Sequence, residues 1–147
     1  MKNLLALDIA TKTGWATSTS SGVWNLTPKR NESKGMRLIS FKGKLKMIFD
    51  VEEIDLVVYE MPAGRHKASI IVAAEMIGVM KIMCDERNID YRPYTAPEIK
   101  KFATGKGNCG KPAMIKSAKE RYNIDVVDDN EADALHLYHL AKEDLNL

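Results

Sequence analysis

The chain has 147 residues, a formal net charge of +2, 45% apolar residues and 29% charged residues. That is the make-up of one water-soluble globular domain, residues 1–147, with room for an ordinary core. No apolar run reaches membrane-spanning length, no charged-then-apolar leader opens the sequence, and Cys84 and Cys109 lack a zinc-binding spacing, so cytoplasmic residence with reduced thiols is expected.

In chain order, Asn3-Leu4-Leu5-Ala6-Leu7-Asp8-Ile9-Ala10 is short and uniformly apolar, which predicts a buried strand with Asp8 near its end. Two alternating stretches around Ser20-Ser21-Gly22 read as a hairpin. Met36, Ile39, Leu45, Ile48 and Phe49 form a helical stripe over 34–51, weakened by Gly43. Glu53-Ile54-Asp55-Leu56-Val57-Val58-Tyr59-Glu60 is a second buried strand that also ends in a carboxylate. A basic loop, 61–67, leads into a long helix over 69–87 that is apolar on most of its circumference, which predicts burial on two sides. Asn88–Tyr94 reads as a third core strand and Thr104–Lys111 as a glycine-rich loop. A helix starting at Pro112 follows, through about Tyr122. The last helix begins near Asp128, with Glu131 as the partner of a capping box. The order of elements predicts an α/β fold whose mixed five-stranded sheet has three antiparallel strands, then parallel ones, with helices on its flanks.

Charge is segregated along the chain. Between Lys100 and Arg121 there are six lysines and one arginine against a single acid, Glu120; between Asp125 and Asp133 there are five acids and no base. A basic stretch beside an acidic cluster suits a polyanion held above a metal site, although two separate solvated surfaces would look the same in sequence. Asp8 and Glu60 occupy equivalent positions on two core strands, so their carboxylates converge if the strands are neighbours. Converging like charges require a shared proton, a basic partner or a divalent cation. Asp133 lies on the same helical face as Leu137 and Leu140, and so points along the core stripe. Asp129 and Asn130 lie on or near that side, where an acid can also serve as a cap. Three acids from separate elements, with no His or Cys among them, suit Mg²⁺ or Mn²⁺ and the two-ion hydrolysis of phosphodiesters.

Four segments in this order resemble the RuvC-type Holliday-junction resolvases, including their phage and poxvirus relatives, of the ribonuclease H-like superfamily. They are Ala6–Ala16, Val57–Pro62, Asp128–Leu135 and the lysine-bearing Lys100–Ile115. The resemblance implies a ribonuclease H-like fold and Mg²⁺ ligands at Asp8, Glu60 and Asp133, with Mn²⁺ able to substitute. It also implies a catalytic role for Lys111 near the scissile phosphate and a position for Lys100 matching a second functional lysine. The family's second aspartate in the last helix is replaced by Asn130, which leaves the fourth ligand to Asn130 or Asp129. Junction opening and sequence preference are expected to differ, because no aromatic residue occupies Met61–Ala63. The implied activity is metal-dependent resolution of four-way DNA junctions by paired nicks. The implied partners are branched DNA and a second copy of the chain, in a cytoplasm that would be a host cell's for a phage protein. Arg65, His66, Lys67, Lys100, Lys106 and Lys111 are the candidate phosphate contacts.

Three rival readings share these residues: a nuclease for flaps or forks, a non-catalytic junction-binding protein, and an ATP-binding module with a similar first phosphate loop. The last normally needs a second like domain, for which 147 residues leave no room. His136 and His139 are expected on a helix surface or against aliphatic side chains, and Trp15 and Trp24 in sheet packing. The methionines of 69–87 are expected to fill core or interface.

Overall fold

Alternation decides which way each strand-end acid faces. The computed structural model describes residues 2–147, and its first strand, β1 (Leu4–Asp8), sends Leu5 and Leu7 to one face of the sheet and Leu4 and Ala6 to the other. Asp8 falls in the second set by the same two-residue period. The remaining elements are β2 (Lys12–Ala16), β3 (Ser21–Asn25), α1 (Met36–Val51), β4 (Leu56–Glu60), α2 (Lys67–Glu86), β5 (Asp90–Tyr94), α3 (Ala96–Thr104), α4 (Lys111–Tyr122) and α5 (Asp129–Asp144).

The sheet order is β3-β2-β1-β4-β5. β1–β2 and β2–β3 are antiparallel, whereas β1–β4 and β4–β5 are parallel, as the order of elements predicts. Leu5, Leu7, Val57 and Tyr59 pack with α1 and α2 on one face, around Phe41, Leu45, Met76 and Met80. Leu4, Ala6, Leu56 and Val58 pack with α3, α4 and α5 on the other, around Ile99, Met114, Ala118 and Leu137. The strands are thus covered twice, which explains their near-continuous apolar runs.

Five features depart from the sequence reading. The hairpin turns at Thr17–Ser20 rather than 20–22, because the buried Thr17 hydroxyl accepts from the Thr19 and Ser20 backbone N–H groups and closes the turn early. β5 is an edge strand with only Tyr94 buried, which is why it can carry Pro93. α3 was hidden between β5 and a glycine loop, yet Thr95 caps it and Pro97 lies in its first turn. The capping box at α5 is half formed: Asp128 accepts from the Asn130 N–H, but Glu131 instead accepts from the Ser21 hydroxyl at 2.7 Å. α2 starts at Lys67, two residues earlier than expected, and the side turned away from the sheet carries Ile71 and Ile82, 58% and 63% exposed.

α5 lies across the strands. Its first turn rests on β2 and β3, through Gly14 and the Ser21–Glu131 bond, and its last turn reaches Tyr94 of β5, whose hydroxyl donates to Asp144 at 2.8 Å. Gly14 makes the close approach possible, since a Cβ there would overlap the Asn130 carbonyl. Gly43 is the opposite case, an exposed helical glycine with open space where a Cβ would go. Gly14→Ala is expected to lower unfolding stability by about 1–3 kcal/mol through forced displacement of α5. Gly43→Ala is expected to raise it by about 0.5–1 kcal/mol through helix propensity. Urea denaturation of the two variants beside wild type checks both signs.

Candidate functional site

Continuing the parallel register Leu7↔Tyr59 by one residue brings Asp8 beside Glu60, at the carboxyl ends of adjacent central strands. α5 crosses above them and adds Asp133 from its first full turn. One ligand oxygen from each of Asp8, Glu60 and Asp133 lies within 4.8 Å of the others, and all three side chains are half-buried. The convergence expected from sequence is therefore present, and for the expected reason: three elements end or begin at the same point.

The electrostatic cost is visible on every member. Burial first, and then the charges of Asp133, Glu60, Asp129 and Asp128, push the Asp8 carboxyl well above the usual carboxylate range. Burial raises Glu60, against a lowering pull from Lys100. Asp133 is raised to about 7, by burial and then by Glu60 and Asp129, with Lys100 and Lys111 pulling the other way. Two cations are thus too weak a counterweight to three gathered acids. An oxygen-only donor set of this kind, crowded and short of positive charge, fits Mg²⁺ or Mn²⁺.

The acids open into a cleft of about 470 Å³ bordered by Glu60, Gly64, Pro97, Lys100, Gly110, Lys111, Asp129 and Asp133. Lys100 projects from α3, the helix missed in the sequence, and Lys111 from the start of α4. The Lys111 ammonium stands 3.5 Å from Asp129, with its side chain 79% exposed. Asp129 borders the cleft, whereas Asn130 does not: the backbone of Asn130 is pressed on Gly14 and its N–H is held by Asp128. Lys106, Arg65, His66 and Lys67 are exposed but do not border the cleft.

The histidines of α5 are structural. Of the two placements expected, helix surface or packed interior, His136 takes the second and is fully buried. Its Nε2 is 3.0 Å from the Met114 carbonyl, which can only accept, so Nε2 carries the proton and Nδ1 accepts from the Tyr122 hydroxyl at 2.7 Å. Burial lowers its pKa to about 4, keeping it neutral and the bonds intact. His139 stacks on the Tyr122 ring at 4.1 Å. Trp15 and Trp24 stack on each other at 5.7 Å, in the sheet packing expected of them.

No protein-family model matches the chain. It is 30% identical over 76 residues to the crossover junction endodeoxyribonuclease RuvC of Brachyspira hyodysenteriae, a match covering 52% of this chain and 48% of that protein. The match thus spans about half the length of this relative. In structure the chain is similar to Thermus thermophilus RuvC in complex with a Holliday junction substrate, with a TM-score of 0.77 and 12% identity over 95% of this chain and 92% of that one. A second T. thermophilus RuvC structure gives a TM-score of 0.76 at 14% identity, covering 98% and 96%. The yeast mitochondrial Holliday junction resolvase Ydc2 gives 0.62 at 12% identity, covering 99% and 82%. The fold is that of RuvC, of the ribonuclease H-like class.

The raised acids set the pH dependence of stability. A carboxyl whose folded pKa is about 7, against 3.8 in the unfolded chain, costs nothing below pH 4 and progressively destabilises the fold as pH rises through 7. In EDTA, Asp133→Asn is therefore expected to be more stable than wild type at pH 8, by about 3 kcal/mol, with the gap closing towards pH 4. Urea midpoints across that range measure it.

Proposed function

We propose that this chain is a divalent-metal-dependent endonuclease that resolves four-way DNA junctions by paired nicks, acting as a homodimer. The observation that carries the reading is the cluster of Asp8, Glu60 and Asp133, with ligand oxygens within 4.8 Å, at the mouth of a lysine-lined cleft on a RuvC fold. Asp8, Glu60 and Asp133 would hold the metal, with Asp129 rather than Asn130 as the further ligand, since Asp129 faces the cleft and brings a charge. The bound metal, Mg²⁺ with Mn²⁺ as substitute, would supply an activated water and stabilise the leaving oxygen.

The chain's own groups do the remainder. Asp8 and Asp133 flank the position from which water attacks the phosphorus in line. The P–O3′ bond breaks, leaving a 5′-phosphate and a 3′-hydroxyl. Lys111 faces the phosphate from the rim and offsets the charge that grows on its oxygens, while Lys100 moderates repulsion among the acids. Arg65, Lys67 and Lys106, exposed outside the border of the cleft, contact flanking phosphates. With both thiols free, Cys84 buried and Cys109 half-buried, the reading places the protein in the cytoplasm, the host's if it is phage-encoded. Among the described residues no helix is long and apolar enough to cross a membrane.

A labelled synthetic junction incubated with Mg²⁺, Mn²⁺ or EDTA tests this directly. Wild type is expected to make symmetric nicks only with metal, and Asp8→Asn to lose more than about a hundredfold in rate, since even partners of metal ligands are worth up to that. The wild-type melting temperature should rise with Mn²⁺, and that of Asp8→Asn should not. Binding without cutting under every metal would leave a junction-binding protein. Preference for flaps or forks would leave a related nuclease.

The dimer is supported by α2. Ile71, Ala74 and Ile82 are exposed along one face, with open space over Gly78 between them, and a two-fold pair of sites matches the two-fold related strands of a junction. Ile71→Glu/Ile82→Glu is expected to sediment as a monomer where wild type sediments as a dimer. Equal sedimentation of the two proteins would overturn this assignment.

A further inference from the structure

The segment joining β3 to α1 carries Lys29, Arg30 and Lys34, and Arg37 follows in the first turn of α1. Its position is set by the antiparallel hairpin. β1 ends at Asp8, β2 returns from that end, and β3 climbs back to it, so the segment leaves the sheet at the same end as the catalytic acids. The Leu26 N–H donates to the Thr11 carbonyl at 2.8 Å, fixing the start of the segment three residues along the chain from Asp8. In the sheet, β3 is two strands from β1, about 10 Å. Lys100, on the helix that follows β5, borders the cleft from the β5 side of the acids.

The segment is also built. The Glu32 carboxylate accepts from the Lys29 N–H at 2.8 Å while the Glu32 N–H donates to the Lys29 carbonyl at 3.0 Å, a closed turn that displays Arg30 at its tip. That bond engages the segment's one acid with backbone. Among the described residues, none of Lys29, Arg30, Lys34 and Arg37, nor Lys12 at the start of β2, is paired with a carboxylate. Lys29, Arg30 and Lys34 are exposed, and the Nε of Arg37 is buried with no acceptor. α1 begins with no side-chain cap and no acid in its first turn, so no carboxylate offsets the positive end of its dipole.

We infer that the 29–37 segment is a second phosphate-binding arm, which grips the duplex on the side of the cleavage site opposite Lys100. The inference rests on the nuclease reading above and extends it. A duplex carries one charge per about 1.7 Å of axis, so DNA seated at the acids and extending over β3 puts several phosphates within reach of the arm. Two basic flanks on either side of the acids hold the scissile strand at two points, which fixes its register over the metal ligands as one flank cannot. The arm's contribution is electrostatic, and it is independent of base sequence.

The test uses the full chain and a fluorescent four-way junction in EDTA, with affinity measured from 50 to 200 mM salt. Arg30→Gln/Lys34→Gln should weaken binding about tenfold at mid-range and make the slope of log K against log salt shallower by about 2, near 0.9 per lost phosphate contact. Lys2→Gln/Lys44→Gln removes the same charge from exposed positions off this surface, and should leave slope and affinity near wild type. Equal behaviour of the two double variants would overturn the arm, whether both weaken or neither does. If wild type fails to bind the junction at all, the nuclease reading falls and the arm falls with it. All four substitutions are at exposed positions, and unchanged melting temperatures will show that folding is not what is being read.

Discussion

Repulsion among Asp8, Glu60 and Asp133 is the constraint on which the rest of the structure depends. Three carboxylates with oxygens within 4.8 Å, partly removed from water, destabilise the metal-free chain, and the raised pKa of each records that strain. Nothing local relieves it: Lys100 and Lys111 act on the acids, but from positions that leave them protonating far above their normal range. The acids stay together because the apolar frame holds them. β1 and β4 are fixed by cores on both faces, and they bring Asp8 and Glu60 side by side without regard to what those residues would prefer. A site arranged in this way spends stability to create affinity for a cation.

The third acid depends on where α5 sits, and several independent contacts determine that. Gly14 allows the helix backbone down onto β2, Ser21 holds Glu131, and Tyr94 holds Asp144 at the far end. His136 then ties α5 to α4 through the Met114 carbonyl and the Tyr122 hydroxyl. The consequence reaches the cleft, because Lys111 opens α4 and Asp133 lies on α5. A neutral, buried histidine with both nitrogens engaged thus fixes the spacing between Asp133 of the acid cluster and Lys111 on the rim of the cleft.

Much of this could be read from the sequence, and the limits have physical causes. Asp8 and Glu60 were legible because a carboxylate ending an apolar strand is costly wherever it occurs, and two of them at matching positions imply neighbouring strands. Asp133 was legible from its place on the Leu137–Leu140 face. α3 was not, because only its Ile99 and Ala103 are buried and a nine-residue helix shows too little periodicity, although Thr95, Pro97 and Glu98 spelled out its start. β5 was taken for a core strand because its aromatic residues suggest burial, but at the sheet edge only one of its five residues is covered. The hydrogen bonds of His136 were not legible because its partners, Tyr122 and the Met114 carbonyl, lie on another helix. Nor was it legible that Asp129 borders the cleft and Asn130 does not, because the Asn130 backbone packs on Gly14, more than a hundred residues away.

The pairing of Lys111 with Asp129 joins these threads. At 3.5 Å, with the lysine side chain 79% exposed, it is a weak ion pair of the surface kind, worth about 1 kcal/mol or less. A cation held by Asp8, Glu60 and Asp133 attracts Asp129 far more strongly than one solvated ammonium does, because its charge is double and its surroundings are drier. Whatever Asp129 would give to such a cation it would withdraw from Lys111, whose ammonium stands on the rim of the same cleft. A strong, buried pair would resist that exchange; this one is solvated and would not.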